Sequence, residues 1–269
     1  RNRKFLDNFL VKELNDTNKE LNDDKYKRKT VIKIDDDIND DINFDEFDEI
    51  EKITVVVNKD GHIKSYKDHL DVSKFRLINK DVLNIHHILS NQKLLIFASS
   101  GRVFTIDPNT LPSGKAKPKN FIYYVDSNMN DRLVMMLPFE KDLKCLIASF
   151  KGKGFIANLE NILTAQKKGK QLFNLKDDDF LIKVLVANKK YLASVNSDEK
   201  MLIFKIDDLP ILQKGGGVQI QKIKNNNFLS DIQIFEFKDG ITWKNNTINK
   251  VEKNINFWLG KRAQSGKKV

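Results

Sequence analysis

Near the start of the chain, Phe5 and Phe9, and Leu6, Leu10 and Leu14, recur at spacings of four. That period predicts one amphipathic helix over roughly residues 3–21. The polar run DDKYKRKT, Asp23 to Thr30, ends it. From Asp35 to Glu51 ten carboxylates alternate with Ile and Phe without a helical or strand period. Their mutual repulsion predicts an extended acidic linker. Three segments result: 1–30, a helix with a charged turn; 31–51, a linker; and 52–269, a folded domain.

From Lys52 onward the pattern changes to short aliphatic runs broken by polar turns. Residues 53–57 and 62–66 flank Asn-Lys-Asp-Gly, and 94–98 and 102–106 flank Ser-Ser-Gly. Residues 145–150 and 155–159 flank Lys-Gly-Lys-Gly, and 191–195 and 201–206 flank Asn-Ser-Asp-Glu. A fifth pair, 232–237 and 241–244, flanks Lys-Asp-Gly. These read as hairpins, because Asp-Gly and Ser-Gly supply the positive φ of tight turns. The turn positions Gly61, Gly101, Gly154, Glu199 and Gly240 lie 40, 53, 45 and 41 residues apart. A period of that length built from hairpins predicts an all-β, propeller-like array of five blades.

A second repeat runs out of phase with the hairpins. An aliphatic strand is followed by a leucine stop, a Gln/Lys/Gly loop and a Gly-x-x-aliphatic phrase. The phrase occurs at Gly169–Leu172, Gly217–Ile220 and Gly266–Val269, at spacings of 48 and 49. Between the second and third hairpins the slot holds LPSGKAKPKNF, Leu111 to Phe121, also basic but rebuilt with prolines.

Charge adds direction to this pattern. The net charge is +10, yet residues 1–51 hold 10 basic and 16 acidic side chains, which leaves residues 52–269 at +16. An acidic segment beside a strongly basic domain fits a polyanion-binding surface. A lysine-rich bias from an AT-rich genome fits the same numbers, and charge alone does not separate the two. The single cysteine, Cys145, excludes an internal disulfide and reads as a core residue of a protein from a reducing compartment. No run approaches the roughly 18 apolar residues of a membrane span, nor the layout of a signal peptide. A cytoplasmic protein, or an excised part of one, with no membrane partner is the expectation.

Lysines neutralise phosphates, and glycines let backbone approach them, so repeated basic loops at one place in a circular array predict a charged track for a nucleic-acid backbone. The candidate contacts are Arg102, Lys115, Lys117, Lys119, Lys151, Lys153, Lys167, Lys168, Lys170, Lys214, Lys261, Arg262, Lys267 and Lys268. No catalytic or metal constellation accompanies them. His62, His69, His86 and His87 are the only histidines, and strand alternation points His86 and His87 to opposite faces. No Ser-His-Asp signature, Walker loop or zinc spacing is present, and the acidic stretch lacks the glycine and terminal Glu of an EF-hand. Trp243 and Trp258 read as core residues.

Three phrases carry a family resemblance: GRVFTIDPNTLPSG (Gly101–Gly114), KGKGFIANLENILTAQKKGKQL (Lys151–Leu172) and KMLIFKIDDLPILQKGGG (Lys200–Gly217). They resemble the C-terminal β-pinwheel of the A-type subunit of bacterial topoisomerase IV, the ParC family. FLVKELND with DDKYKRKT resembles the helix and turn leading out of the breakage-reunion core in that family. The resemblance implies a five-bladed β-pinwheel of hairpin-exchanging antiparallel blades whose basic rim grips double-stranded DNA. It also implies a non-catalytic part of an ATP-dependent type IIA topoisomerase. ATP and magnesium would belong to the holoenzyme, with no cofactor here. The B-type subunit of topoisomerase IV and a second A-type subunit would be reached through other domains, and the location would be cytoplasmic and nucleoid-associated. None of Tyr26, Tyr66, Tyr123, Tyr124 or Tyr191 matches the strand-cleaving motif of that family.

The A-type subunit of gyrase is the related alternative, and its pinwheel carries a Gln-Arg-Arg-Gly-Gly-Lys-Gly box in the first blade connection. Here that connection reads DHLDVSKFRLINKD, without glycine or paired arginines. QKKGKQL and QKGGGVQ resemble degenerate forms of the box in later blades. A propeller used for protein recognition is the reading from a different class.

Overall fold

A computed structural model describes residues 3–21, 50–176, 178–224, 227–245 and 248–269. The chain parts into two units, Arg1–Asp48 and Glu49–Val269. In the first, helix α1 (Arg3–Leu21) forms where the spacing predicts it, with Phe5, Leu6, Phe9, Leu10 and Leu14 exposed along one face. The turn Asp23 to Thr30, with Tyr26, and the acidic stretch up to Glu49 lie outside the described residues.

The second unit is built by one rule applied repeatedly. Hairpin one is β1 (Lys52–Asn58) with β2 (His62–Lys67). After helix α2 (Val72–Ile78), strand β3 (Val82–Leu89) returns to pair with β1. Hairpin two is β4 (Leu94–Ala98) with β5 (Arg102–Ile106). The next strand, β6 (Lys119–Asn120), leaves its own hairpin and pairs with β2 of the sheet before it. Then β7 (Leu133–Pro138) closes sheet two against β4. The cycle repeats with β8 (Lys144–Ser149), β9 (Lys153–Asn158), β10 (Lys170–Gln171) on β5, and β11 (Leu181–Val186) on β8. It repeats again with β12 (Tyr191–Asn196), β13 (Lys200–Lys205), β14 (Val218–Gln219) on β9, and β15 (Leu229–Phe235) on β12. Among the described residues four four-stranded antiparallel sheets result. In each, a two-residue strap from the following hairpin forms one edge.

The closing strands β3, β7, β11 and β15 pack one against the next, which places them innermost and the straps on the outer edge. The sheets are buried on both faces, so their central strands read as continuous apolar runs. Leu94, Ile96 and Ala98 of β4 face Val55, Val57 and Ile63 of sheet one. Leu95 and Phe97, on the other face of β4, meet Cys145, Ile147 and Phe155 of sheet three. Further cores join sheet three to four around Leu146, Leu192 and Phe204, and sheet four to the residues after it around Ile203, Ile241 and Ile255. Cys145 is fully buried, as expected of a core cysteine, and burial pushes its thiol pKa up to about 12.

The fifth hairpin differs from the predicted one. Residues 232–237 and 241–244 do not pair, because β15 is the closing strand of sheet four and Phe237–Asp239 forms a single 3₁₀ turn. The hairpin at this place is β16 (Ile241–Asn245) with β17 (Ile248–Glu252), a two-stranded sheet among the described residues, followed by the strap β18 (Lys267–Lys268) on β13. Gly240 has φ 71, but as the C-cap of the 3₁₀ turn. A cap and a hairpin turn require the same left-handed glycine, so Lys-Asp-Gly is ambiguous as a string. In hairpin three, likewise, the turn glycine is Gly152, with φ 76, rather than Gly154. Gly154 lies within β9, where a Cβ would stand 2.5 Å from the Ile147 carbonyl oxygen. The first connection is also more ordered than a plain loop: Asp71 Oδ1 accepts the Ser73 N–H at 3.0 Å as an N-cap, and Phe75 meets Tyr66 edge-on.

Three of the four straps begin with a glycine, Gly169, Gly217 and Gly266, and the packing explains it; the first strap enters through Pro118 instead. Gly169 has φ 64, and a Cβ there would stand 2.5 Å from Phe104 Cδ1 and 2.6 Å from the Val103 carbonyl oxygen. Gly114 has φ 57 with nothing within 4 Å of its Cβ position. Both Gly→Ala changes carry about 1 kcal/mol of left-handed strain. Gly169→Ala adds overpacking of roughly 1–3 kcal/mol, so its urea midpoint falls well below that of Gly114→Ala. Equal midpoints would contradict the strap packing.

Candidate nucleic-acid interface

Every strap lands on the first two residues after the hairpin turn of the preceding sheet. The pairs are Asn120 with His62 and Lys119 with Ile63, Gln171 with Arg102 and Lys170 with Val103, Gln219 with Lys153 and Val218 with Gly154, and Lys268 with Lys200 and Lys267 with Met201. The basic loops that lead into the straps therefore share one location. They lie on the outer edge, beside the hairpin turns.

Side-chain amides, which a search for charge passes over, fix the straps. Asn120 Nδ2 donates to the Asp60 carbonyl at 2.9 Å. Gln171 Nε2 donates to the Ser100 and Phe173 carbonyls at 3.0 and 2.6 Å, and Gln219 Nε2 to those of Gly152 and Gln221 at 3.2 and 2.6 Å. The amide recurs at the same strap position, which is a signal the sequence does contain. In the fourth strap Lys268 takes that position, and buried Gln221 donates to the Lys200 and Ser265 carbonyls, both at 2.9 Å. Two carboxylates hold the turns themselves. Asp131 Oδ1 accepts the Ser100 N–H at 2.9 Å, and Asp179 Oδ1 accepts the Lys151 N–H at 2.9 Å.

The candidate cations divide into two groups. Lys115 and Lys117 are exposed in the loop before β6, and Lys119 is exposed on it. Lys167, Lys168, Lys214 and Lys261 are exposed in the later strap loops and Lys268 on β18, while Lys151, exposed in the turn of hairpin three, is itself engaged within the fold. Lys153, half-buried, begins β9. The others are engaged by the fold. Arg102 Nη1 donates to the Lys168 carbonyl, Lys170 Nζ to the Asn161 carbonyl at 2.7 Å, and Arg262 Nη1 to the Gln219 carbonyl at 2.9 Å. The Lys267 ammonium stands 4.7 Å from the centre of the Phe257 ring.

The glycines serve a different end from the one the sequence suggests. A Cβ on Gly266 would stand 2.5 Å from the Met201 carbonyl oxygen, and one on Gly217 would stand 3.0 Å from the Gly154 nitrogen. With Gly169, these residues let one backbone cross another, a close approach within the protein rather than to a phosphate. Gly215 and Gly216 have room, with nearest neighbours at 3.4 and 3.6 Å.

Among the described residues no group of three or more His, Cys, Asp or Glu could hold a metal ion. His86, half-buried, has Nε2 2.8 Å from the Met136 carbonyl, and burial holds its pKa below the usual value. His69 and His87 stack on each other at 4.6 Å. Trp258 is half-buried and donates Nε1–H to the Lys268 carbonyl at 3.1 Å. The side chain of Trp243 lies outside the described residues. Among the described residues no helix is long and apolar enough to cross a membrane.

Residues 144–188 and 190–236, which span most of sheets three and four, match the family described as DNA gyrase C-terminal domain, beta-propeller. Hairpin exchange through outer straps thus defines a β-pinwheel of the class found at the C-terminus of the gyrase A protein. The A-type subunit of DNA topoisomerase 4 from Rickettsia conorii is 37% identical over 219 residues, 81% of this chain and 29% of that protein. The chain belongs to the family of DNA topoisomerase 4 A-type subunits, as a C-terminal domain, and spans about three tenths of the length of the curated relatives it matches. The E. coli ParC C-terminal domain has the same fold, with a TM-score of 0.71 at 24% identity over 81% of this chain and 94% of that one. For the DNA gyrase A C-terminal domain the TM-score is 0.52 at 17% identity, over 71% and 68%. The all-β pinwheel expected from the resemblance is borne out.

The two groups of cations predict different stability effects. Lys170→Ala removes a charge-assisted hydrogen bond and lowers stability by about 1 kcal/mol, a shift of a few degrees in thermal midpoint. Replacing Lys167 and Lys168 together by Ala leaves the midpoint unchanged, since exposed charges contribute little. A drop in the double variant as large as that of Lys170→Ala would contradict the division.

Proposed function

We propose that this domain is the non-catalytic, DNA-gripping part of a type IIA topoisomerase, acting as the tail of the A-type subunit of topoisomerase IV. It holds the backbone of a duplex along its outer edge and presents that duplex for strand passage, in decatenation and supercoil relaxation. The observation that carries this reading is the common location of the strap loops. Lys115, Lys117, Lys167, Lys168, Lys214 and Lys261 are exposed in loops that all meet the outer edge beside a hairpin turn. Repeated cations at one height make contacts spaced along a backbone, and backbone contacts do not depend on base sequence. ATP, magnesium, the B-type subunit of topoisomerase IV and a second A-type subunit belong to the holoenzyme and act through parts outside this chain. A protein that works on chromosomal DNA belongs in the cytoplasm, at the nucleoid.

A gyrase-type role is disfavoured by the first connection. Where a glycine-rich basic box would stand, α2 carries Arg76 with Asp71 before it and Asp81 after it. Contact over a shorter arc leaves the bending cost of a full wrap, several kcal/mol per roughly 20–30 base pairs, without compensation. A protein-recognition propeller would treat the lysines as incidental, and salt dependence separates that reading from this one.

Two outcomes follow for DNA. Binding to a short duplex falls steeply with salt, and replacing Lys167 and Lys168 by Ala reduces the log–log slope by about two units. No duplex binding by the unaltered domain at about 50 mM salt would overturn the reading. Relaxed closed-circular plasmid, incubated with the domain and a nicking-closing topoisomerase and then deproteinised, remains unshifted. A ladder of topoisomers displaced in one direction would show chiral wrapping and favour the gyrase role.

A further inference from the structure

Sheet three has at its rim a hollow of about 310 Å³, lined by Lys151, Lys153, Asn174, Lys176, Asp179 and Gly216. Three chain segments meet there: the turn of hairpin three, the stretch that follows strap β10, and the triple-glycine loop that enters strap β14. Asp179 contributes a carboxylate, but its oxygens are occupied by neutral donors. Oδ1 accepts the N–H groups of Lys151 and Phe180 at 2.9 and 3.0 Å, and Oδ2 accepts the Ser149 hydroxyl at 2.9 Å. It therefore acts as the clamp that sets the turn. The ammonium groups of Lys153 and Lys176 have no hydrogen-bond or ion-pair partner among the described residues. The Gly216 N–H has no acceptor either, and Gly216 is exposed.

We propose that this hollow is a seat for one phosphodiester group of the bound duplex, held by the ammonium groups of Lys153 and Lys176 and by the Gly216 N–H. The proposal rests on the DNA-gripping reading and deepens it. A charged tetrahedral anion suits a mixed set of cations and a backbone N–H, as in other anion-binding concavities. Of the triple glycine, Gly217 crosses β9 at backbone distance, whereas a Cβ on Gly216 would meet only the Asn174 carbonyl oxygen, at an ordinary contact distance of 3.6 Å. The seat accounts for a glycine that the strap itself does not need. It also assigns a DNA contact to Lys176, which the loop repeat does not mark.

Three variants of the whole domain test the seat. Lys176→Gln removes one cation; Gly216→Ala adds a methyl group at the mouth without changing charge; Lys205→Gln removes an exposed lysine at the far end of β13. Lys176→Gln should reduce the salt slope of duplex binding by about one unit. Gly216→Ala should weaken binding several-fold with its thermal midpoint kept, and Lys205→Gln should change neither quantity. If Lys176→Gln and Lys205→Gln behave alike, the seat is overturned while the DNA reading stands. If the unaltered domain binds no duplex, both fall together. To separate a DNA phosphate from a free one, the Gly216 amide resonance is followed with duplex and with inorganic phosphate at equal ionic strength. Movement with duplex supports the seat, and movement with inorganic phosphate alone overturns it.

Discussion

A two-residue strap pairs with the hairpin of the preceding sheet, and it does so only where a backbone can pass a backbone at contact distance. That steric condition governs the second unit. Gly169, Gly217 and Gly266 meet it with left-handed φ values and with no room for a Cβ. Gln171 and Gln219 then lock the crossing by donating to turn and strap carbonyls. Because each strap belongs to the following hairpin, each of the four-stranded sheets is completed by residues from its neighbour and none of them is a self-contained unit. The cores show the same dependence, since each lies between two sheets rather than within one.

The crossing also decides where charge can stand. A strap must leave its hairpin, travel outward and enter the preceding sheet beside the turn, so the loop that carries it is exposed at the outer edge. Lysine in such a loop disturbs no core. Some cations near the crossing are used by the fold: Arg102, Lys170 and Arg262 each donate to a main-chain carbonyl of a neighbouring segment. Those groups tie one chain segment to another, a role that differs from holding a ligand.

Much of this is legible in the sequence, and the limits have physical causes. Period-two and continuous apolar runs locate the strands of the first four hairpins, and the Gly-x-x-aliphatic phrase marks three of the four straps. The fifth hairpin falls elsewhere than its string suggests because Gly240 serves a 3₁₀ cap with the φ of a hairpin glycine. Gly154 reads as a turn residue because Lys-Gly-Lys-Gly offers two glycines, and only packing against Ile147 distinguishes them. Basic residues in the candidate site are recognisable by type. Which of them bond inward depends on partners 9 to 66 residues away, such as Asn161 for Lys170 and Lys168 for Arg102. No local string encodes that.

The central claim is that duplex DNA lies along the outer edge, over the strap loops. Lysine footprinting tests it most directly: reductive methylation of the domain with and without a duplex, quantified residue by residue by mass spectrometry. The account predicts protection of Lys115, Lys117, Lys167, Lys168 and Lys214, with Lys144, Lys189, Lys190 and Lys205, exposed at the opposite strand ends, modified equally in both states. Protection of the second set, or equal protection of both, would contradict it.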